Sequence, residues 1–175
     1  MTNFQYDVIG GRPGSAAPGT LTRVNEPHEI VTGLPLASNP PTVFGNAVVR
    51  DASTGNFRPV GSADVTANVY GLVVKPFGAQ TSTSWPPAGW NTTSTVSATD
   101  TLSIGRMGYF AVQVDGATAP VQGGAVYIQT TAVTGIPVGS FSAVSSANNF
   151  QWVGAEWAVS GVDSQGFGEI RFRVA

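Results

Sequence analysis

Cysteine is absent from this chain, only one Lys (Lys75) and one His (His28) occur, and charged side chains make up 10% of its residues. Without thiols, disulfide frameworks, thiolate metal sites, redox pairs and cysteine nucleophiles are all excluded. The seven Arg lie scattered from Arg12 to Arg173 and the net charge is −2, so no run of cations marks a nucleic-acid partner. Long apolar stretches are missing too: Gly, Pro or polar residues break every run well before the roughly 20 residues of a membrane span. The opening residues MTNFQYDVIGGRPGS carry neither a basic leader nor an apolar segment, so no secretory signal and a cytoplasmic site of synthesis are expected. Segments free of Gly and Pro are equally scarce. The two long ones, 90–104 and 140–153, are rich in weak helix formers such as Ser and Thr, so no helix beyond two turns is expected.

What replaces charge is Gly (22), Pro (12), Ser, Thr and Asn, around an apolar fraction of 42% with aromatics throughout. That is too hydrophobic and too weakly charged for disorder. At 175 residues the chain suffices for one ordinary domain with a sizeable core. Strand patterning dominates. In EIRFRVA, Ile170, Phe172 and Val174 alternate with Glu169, Arg171 and Arg173, giving one apolar and one charged face. YFAVQVD and AVYIQT alternate in the same way, and DGATAPVQGG between them supplies turn chemistry, which predicts a hairpin. Further strands are expected at 43–50, 69–76, 100–106, 138–144 and 151–160. Eight or more short antiparallel strands make the chain all-β, a jelly-roll-like sandwich or barrel.

Residues 1–27 differ from the rest. GGRPG and APG leave little that could sit in a continuous sheet, so this segment is expected as an extended N-terminal arm, with residues 28–175 forming the β domain. Some 20 extended residues reach about 66 Å, against a radius of gyration of about 16 Å for a compact domain of this size; the arm can extend beyond its own domain. A second irregular stretch, PFGAQTSTSWPPAGWNTTST, is expected as a long surface loop carrying Trp85 and Trp90.

Candidate chemistry is thin. His28 in EPHE is not part of an HExxH helix, and one imidazole is a poor basis for a metal site. No G-x-S-x-G supports a nucleophilic Ser, and the glycines of GGRPGS and GVDSQGFGE lack phosphate-cradle spacing. Neither a cofactor nor a metal is expected. Among the carboxylates, Glu156 is the least ordinary: between Trp152 and Trp157 it reads either as part of a sugar platform or as a strand carboxylate facing solvent or a subunit. In GRPG, Pro13 fixes the backbone and Arg12 offers a planar fork to a carboxylate, as an anchor would.

The order of these pieces is more specific than any one of them. VYGLVVKPF, with Tyr70-Gly71 and Pro76-Phe77, is followed by the Trp/Pro/Gly loop and then by LSIGRMGYFAVQV, with Arg106 and Gly108-Tyr109. GGAVYIQTT, with Gly123-Gly124 and Val126-Tyr127, and GFGEIRFRV, with Glu169-Ile170, complete the series. Together they resemble the structural cement, or capsid decoration, proteins of tailed bacteriophages; Lys75 stands where that family often has Arg. The resemblance implies a non-enzymatic β-barrel or jelly-roll-like protein. It would bind the outer surface of the capsid, contact the major capsid protein and clamp neighbouring subunits as a homo-oligomer, a trimer narrowly ahead of a dimer. No nucleic acid and no membrane are among the implied partners. Contact candidates are Phe4, Tyr6, Arg12, Pro13 and Arg23 in the arm and Trp85 and Trp90 in the loop. A weakly charged contact surface predicts attachment that moderate salt barely changes. The rival from another class is a carbohydrate-binding β-sandwich of a phage tail or surface protein, with Trp85, Trp90 and Trp152 as stacking platforms. A two-carboxylate glycosidase and a tail-tube or baseplate component are the remaining alternatives.

Overall fold

The structure is a computed structural model, and it describes residues 18–75, 101–115, 118–132, 137–163 and 166–174. Within them run nine strands: β1 (Glu29–Gly33), β2 (Ala47–Arg50), β3 (Phe57–Pro59), β4 (Val69–Val74), β5 (Leu102–Gln113), β6 (Ala125–Gln129), β7 (Phe141–Ser142), β8 (Asn149–Trp157) and β9 (Phe167–Arg173). The helical content of the described residues is one 3-10 turn at Thr66–Asn68. All the strand ladders are antiparallel, in the order β3-β2-β4-β5-β9-β8-β6-β7, with β1 also on β5. The sheet curls until its ends meet. Asp115 N–H donates to Phe141 O and Ala47 N–H to Gly139 O, both at 2.8 Å, so the β7 end returns to β5 and β2. The molecule is therefore an all-β, barrel-like sheet, as the strand patterning predicts.

Inside the curl lies the larger core, built on Leu72, Phe110, Val112, Ile128, Phe141, Trp152, Trp157, Ile170 and Phe172. A smaller cluster of Val48, Phe57, Val73, Leu102 and Ile104 covers part of the opposite face, which explains why neighbours such as Val48/Val49 and Val73/Val74 are all buried. β5 is the central element. Its first half pairs with β4 and β1 and its second half with β9, in a seven-residue register from Met107↔Arg173 to Gln113↔Phe167. The stretches 100–106 and YFAVQVD, expected as separate strands, are consequently one strand of 12 residues. It passes through Gly108 at φ +132°, a backbone angle that side chains of L-residues disfavour.

Two expectations about pairing and extent are overturned. β5 and β6 do not form a hairpin: β9 and β8 stand between them, and β6 pairs with β8 and β7. Turn chemistry dictates that the chain reverses but not which strand it then joins. The seven matched positions of β5 and β9, including Phe110↔Ile170 and Tyr109↔Arg171, outcompete local return. The expected strands at 43–50 and 138–144 shorten to Ala47–Arg50 and Phe141–Ser142. Before β2, Gly45 is pressed against residues 18–19, so closely that a Cβ there would lie 2.7 Å from Gly19 N.

β8 carries a bulge that simple alternation would miss. Tyr127 faces Gln151 and Ala125 faces Glu156, so residues 152–155 oppose Val126 alone, with Gly154 at φ +92° taking the bend. Through this bend Trp152 and Trp157, five residues apart, both enter the core at 2% and 1% exposure. Trp157 Nε1–H is satisfied by Ala125 O at 2.9 Å. The 3-10 turn braces the bulge from outside, since Val153 N–H donates to Thr66 Oγ1 at 2.8 Å.

Candidate interaction surface

Of the residues singled out in the sequence, Phe4, Tyr6, Arg12, Pro13, Trp85 and Trp90 lie outside the described residues. Arg23 lies within them. Residues 18–22 run alongside β5: Gly19 N–H donates to Ala111 O (2.8 Å), Thr20 O accepts from Ala111 N–H (3.0 Å), and Thr22 N–H donates to Tyr109 O (2.9 Å). Leu21 packs on the larger core, so the last part of the 1–27 segment is hydrogen-bonded to the β domain.

Strand alternation decides what surrounds Arg23. On β9, Ile170 and Phe172 turn into the core while Glu169, Arg171 and Arg173 turn away, beside Tyr109 of β5. The outward residues do not form a uniformly solvated face, because the 18–23 segment covers Glu169, which is 2% exposed. Its carboxylate accepts from Thr22 Oγ1 and takes both arms of the Arg23 fork, Nη2 at 2.7 Å and Nε at 3.2 Å. Such a charge-assisted, two-point pair satisfies a buried carboxylate better than a single contact. The hydrogen bond to Glu169 also raises the Arg23 pKa above its ordinary value. The guanidinium lies 4.2 Å from the Tyr109 ring centroid.

Next to this cluster, Arg171 Nη2 reaches Glu156 Oε1 at 2.5 Å, and Arg171 Nη1 lies 3.4 Å from Tyr109 Oη. Further along the sheet Arg106 sits 4.9 Å from the Tyr70 ring centroid and pairs with Glu29 at 3.0 Å. Arg50 lies 6.0 Å from the Tyr70 ring centroid and donates to Gly55 O. Arg50, Arg106, Arg171, Arg173 and Arg23 thus gather on the face of the sheet that points away from the larger core, interleaved with Tyr70 and Tyr109. Among the described residues only Arg58 and Lys75 lie elsewhere. Arg58 is held by Asp64 in a second two-point pair, at 2.7 and 2.8 Å. That bond, helped by Gly61 N–H, lowers the Asp64 pKa below the ordinary carboxylate value.

The Glu156 alternatives are resolved by the bulge. Trp152 and Trp157 are core residues, which removes Trp152 as a sugar platform, and Glu156 pairs with an arginine. His28 is exposed and its Nδ1 lies 3.1 Å from Glu26 O. No group of three or more His, Cys, Asp or Glu among the described residues is placed to hold a metal ion, and no helix there is long and apolar enough to cross a membrane. Sequence reasoning missed Arg50, Tyr70, Arg106, Tyr109 and Arg171 as a group, because they come from four strands and meet only through pairing. The one signal available was the charged half of EIRFRVA.

These features define a class: an all-β protein that carries, among its described residues, an arginine and tyrosine cluster on one sheet face and no group placed to hold a metal ion. Comparison with known proteins makes this specific. The model of the family described as "Structural cement protein (E217 gp24/Pam3 gp6)" matches residues 4–173, and the chain belongs to this phage family. It is accordingly a capsid-associated structural protein of a phage virion. Among solved structures it resembles a chain of "The capsid of Myoviridae Phage XM1", with a TM-score of 0.64 and 16% sequence identity over 99% of this chain and 97% of that one. At that identity the likeness speaks for the fold. No curated protein matches.

Proposed function

We propose that the chain is a non-enzymatic cement protein that sits on the exterior of a tailed-phage capsid and clamps neighbouring major capsid subunits, after synthesis in the host cytoplasm. The observation that carries this reading is the family match over residues 4–173, which spans the N-terminal segment as well as the sheet. In this proposal residues 1–27 are the contact arm and 28–175 the β domain, with Phe4, Tyr6, Arg12 and Pro13 meeting a capsid subunit or a neighbouring copy. Residues 18–23 are the root of the arm, and Arg23 fixes it through Glu169. A rooted arm has a defined exit point, so less freedom is lost when its free part docks. Trp85 and Trp90 are the second proposed contact.

Assembly as a homo-oligomer, a trimer ahead of a dimer, would multiply modest contacts through effective concentration. Co-sedimentation of the purified protein with expanded, undecorated phage shells tests the reading, alongside the absolute mass of the free protein. A defined oligomer that pellets at saturating stoichiometry is expected. Deleting residues 1–17 should leave the sheet folded and abolish pelleting; unchanged decoration by the truncated protein removes the arm from the mechanism. Failure of the intact protein to bind shells would overturn the whole reading.

A further inference from the structure

Of the six arginines among the described residues, five share one face of the sheet. There Arg23, Arg106 and Arg171 are held by aromatic rings and a carboxylate each, with the Arg171 side chain still 53% exposed. Arg50 and Arg173 have no carboxylate partner among the described residues and are exposed. A guanidinium carries five donors in a rigid fork, so the half-exposed Arg171, held through Glu156 Oε1, keeps donors for a further partner. Holding it in place before contact reduces the side-chain entropy lost on binding.

We infer that this arginine and tyrosine face docks on a carboxylate-rich protein surface, and that the surface belongs to the shell and not to a second copy of this chain. The inference rests on the cement reading above and gives that contact its chemistry. Charge complementarity selects the occupant. Among the described carboxylates, Asp64, Asp115, Asp163 and Glu169 are buried, Glu29 and Glu156 are already paired with Arg106 and Arg171 on the face itself, and Glu26 is exposed. Asp51 is engaged by Ser53 and Thr54. A second copy therefore has only Glu26 and Asp51 to offer from these residues, whereas a face with five guanidinium groups, three of them paired with a carboxylate, calls for a denser acidic counterpart.

This proposal reverses the salt-insensitive attachment expected from composition. Paired charges at a partly exposed contact are screened over about 10 Å at 0.1 M salt. Binding of the intact protein to expanded shells should weaken about tenfold or more between low and moderately high salt. Three proteins are compared: the wild type, the Arg171→Gln/Arg173→Gln double variant and the Arg171→Lys/Arg173→Lys double variant. Thermal unfolding and absolute mass are recorded for each. The Gln pair is expected to fold, keep its mass, bind at least tenfold more weakly and lose much of the salt dependence. The Lys pair should keep the salt dependence with a smaller loss, since it retains the charge but not the fork. Gln variants that bind shells like the wild type, with binding flat in salt, overturn the inference while leaving the cement reading standing. Gln variants whose mass changes while shell affinity does not assign the face to contacts between copies and overturn it as well. A wild-type protein that ignores shells at every salt removes the cement reading and this inference together.

Discussion

The two faces of the β5–β9 pair use the same backbone register for opposite ends. On one, Phe110, Ile170 and Phe172 are at most 2% exposed and pack with Trp152 and Trp157. On the other, Tyr109, Arg171 and Arg173 stand in cross-strand register with their neighbours and reach solvent. Burial of apolar area drives folding on the first face, at roughly 25 cal/mol per Å². Exposed ion pairs on the second contribute about 0–1 kcal/mol each. If the proposed contact is right, stability and attachment separate on a single strand, and substitutions should sort by face.

The largest effect should come from the inner face. Trp157→Ala removes a fully buried indole and its hydrogen bond to Ala125 O, and should cost about 3–5 kcal/mol by denaturant unfolding. A loss under about 1 kcal/mol would mean that the larger core is not organised around that ring. Next is the residue that breaks the division. Glu169 belongs by alternation to the outer face yet is buried, so Glu169→Gln should destabilise by about 2 kcal/mol; the value is below that of a fully buried pair because Arg23 is 39% exposed. The same variant should increase protease cleavage near residues 18–23, and unchanged cleavage would argue that the root is held by its backbone bonds alone.

A smaller contribution depends on pH. Arg58 holds the Asp64 carboxyl below its ordinary value of 3.8. The native state therefore binds that proton less readily than the unfolded chain, so the pair stabilises fully above about pH 4 and the benefit is lost as pH falls through the lowered native value. Wild type and Asp64→Asn should converge in melting temperature on acidification; curves that stay parallel from pH 6 to pH 2 would exclude this contribution. The smallest effect on stability belongs to Arg171→Gln, under about 1 kcal/mol, because the Arg171–Glu156 pair is half exposed on both sides.

Where periodicity was local, the sequence was legible. The alternation of EIRFRVA places Ile170 and Phe172 inside, and the Gly and Pro spacing accounts for short strands and, among the described residues, a single helical turn. Three features were not legible, each for a physical reason. The β5–β9 partnership is a competition between distant segments that local turn chemistry cannot decide. The burial of Glu169 depends on residues 146 positions earlier in the chain. The arginine face exists only once four strands and the root segment are side by side. The β8 bulge lies between these cases: Gly154 in the middle of the aromatic-rich run QWVGAEW was its visible signal, and a strict two-residue period would have placed one of the two tryptophans outside.

The central claim is that one face of this sheet folds the protein and the other attaches it. Electron cryomicroscopy of expanded shells incubated with the protein tests this most directly, because it fixes both location and orientation. The account predicts density for the curled sheet on the outer surface, with Tyr109, Arg171 and Arg173 against acidic residues of the shell. Bound density with that face turned to solvent, or no ordered density on the shell exterior at saturating protein, would contradict it.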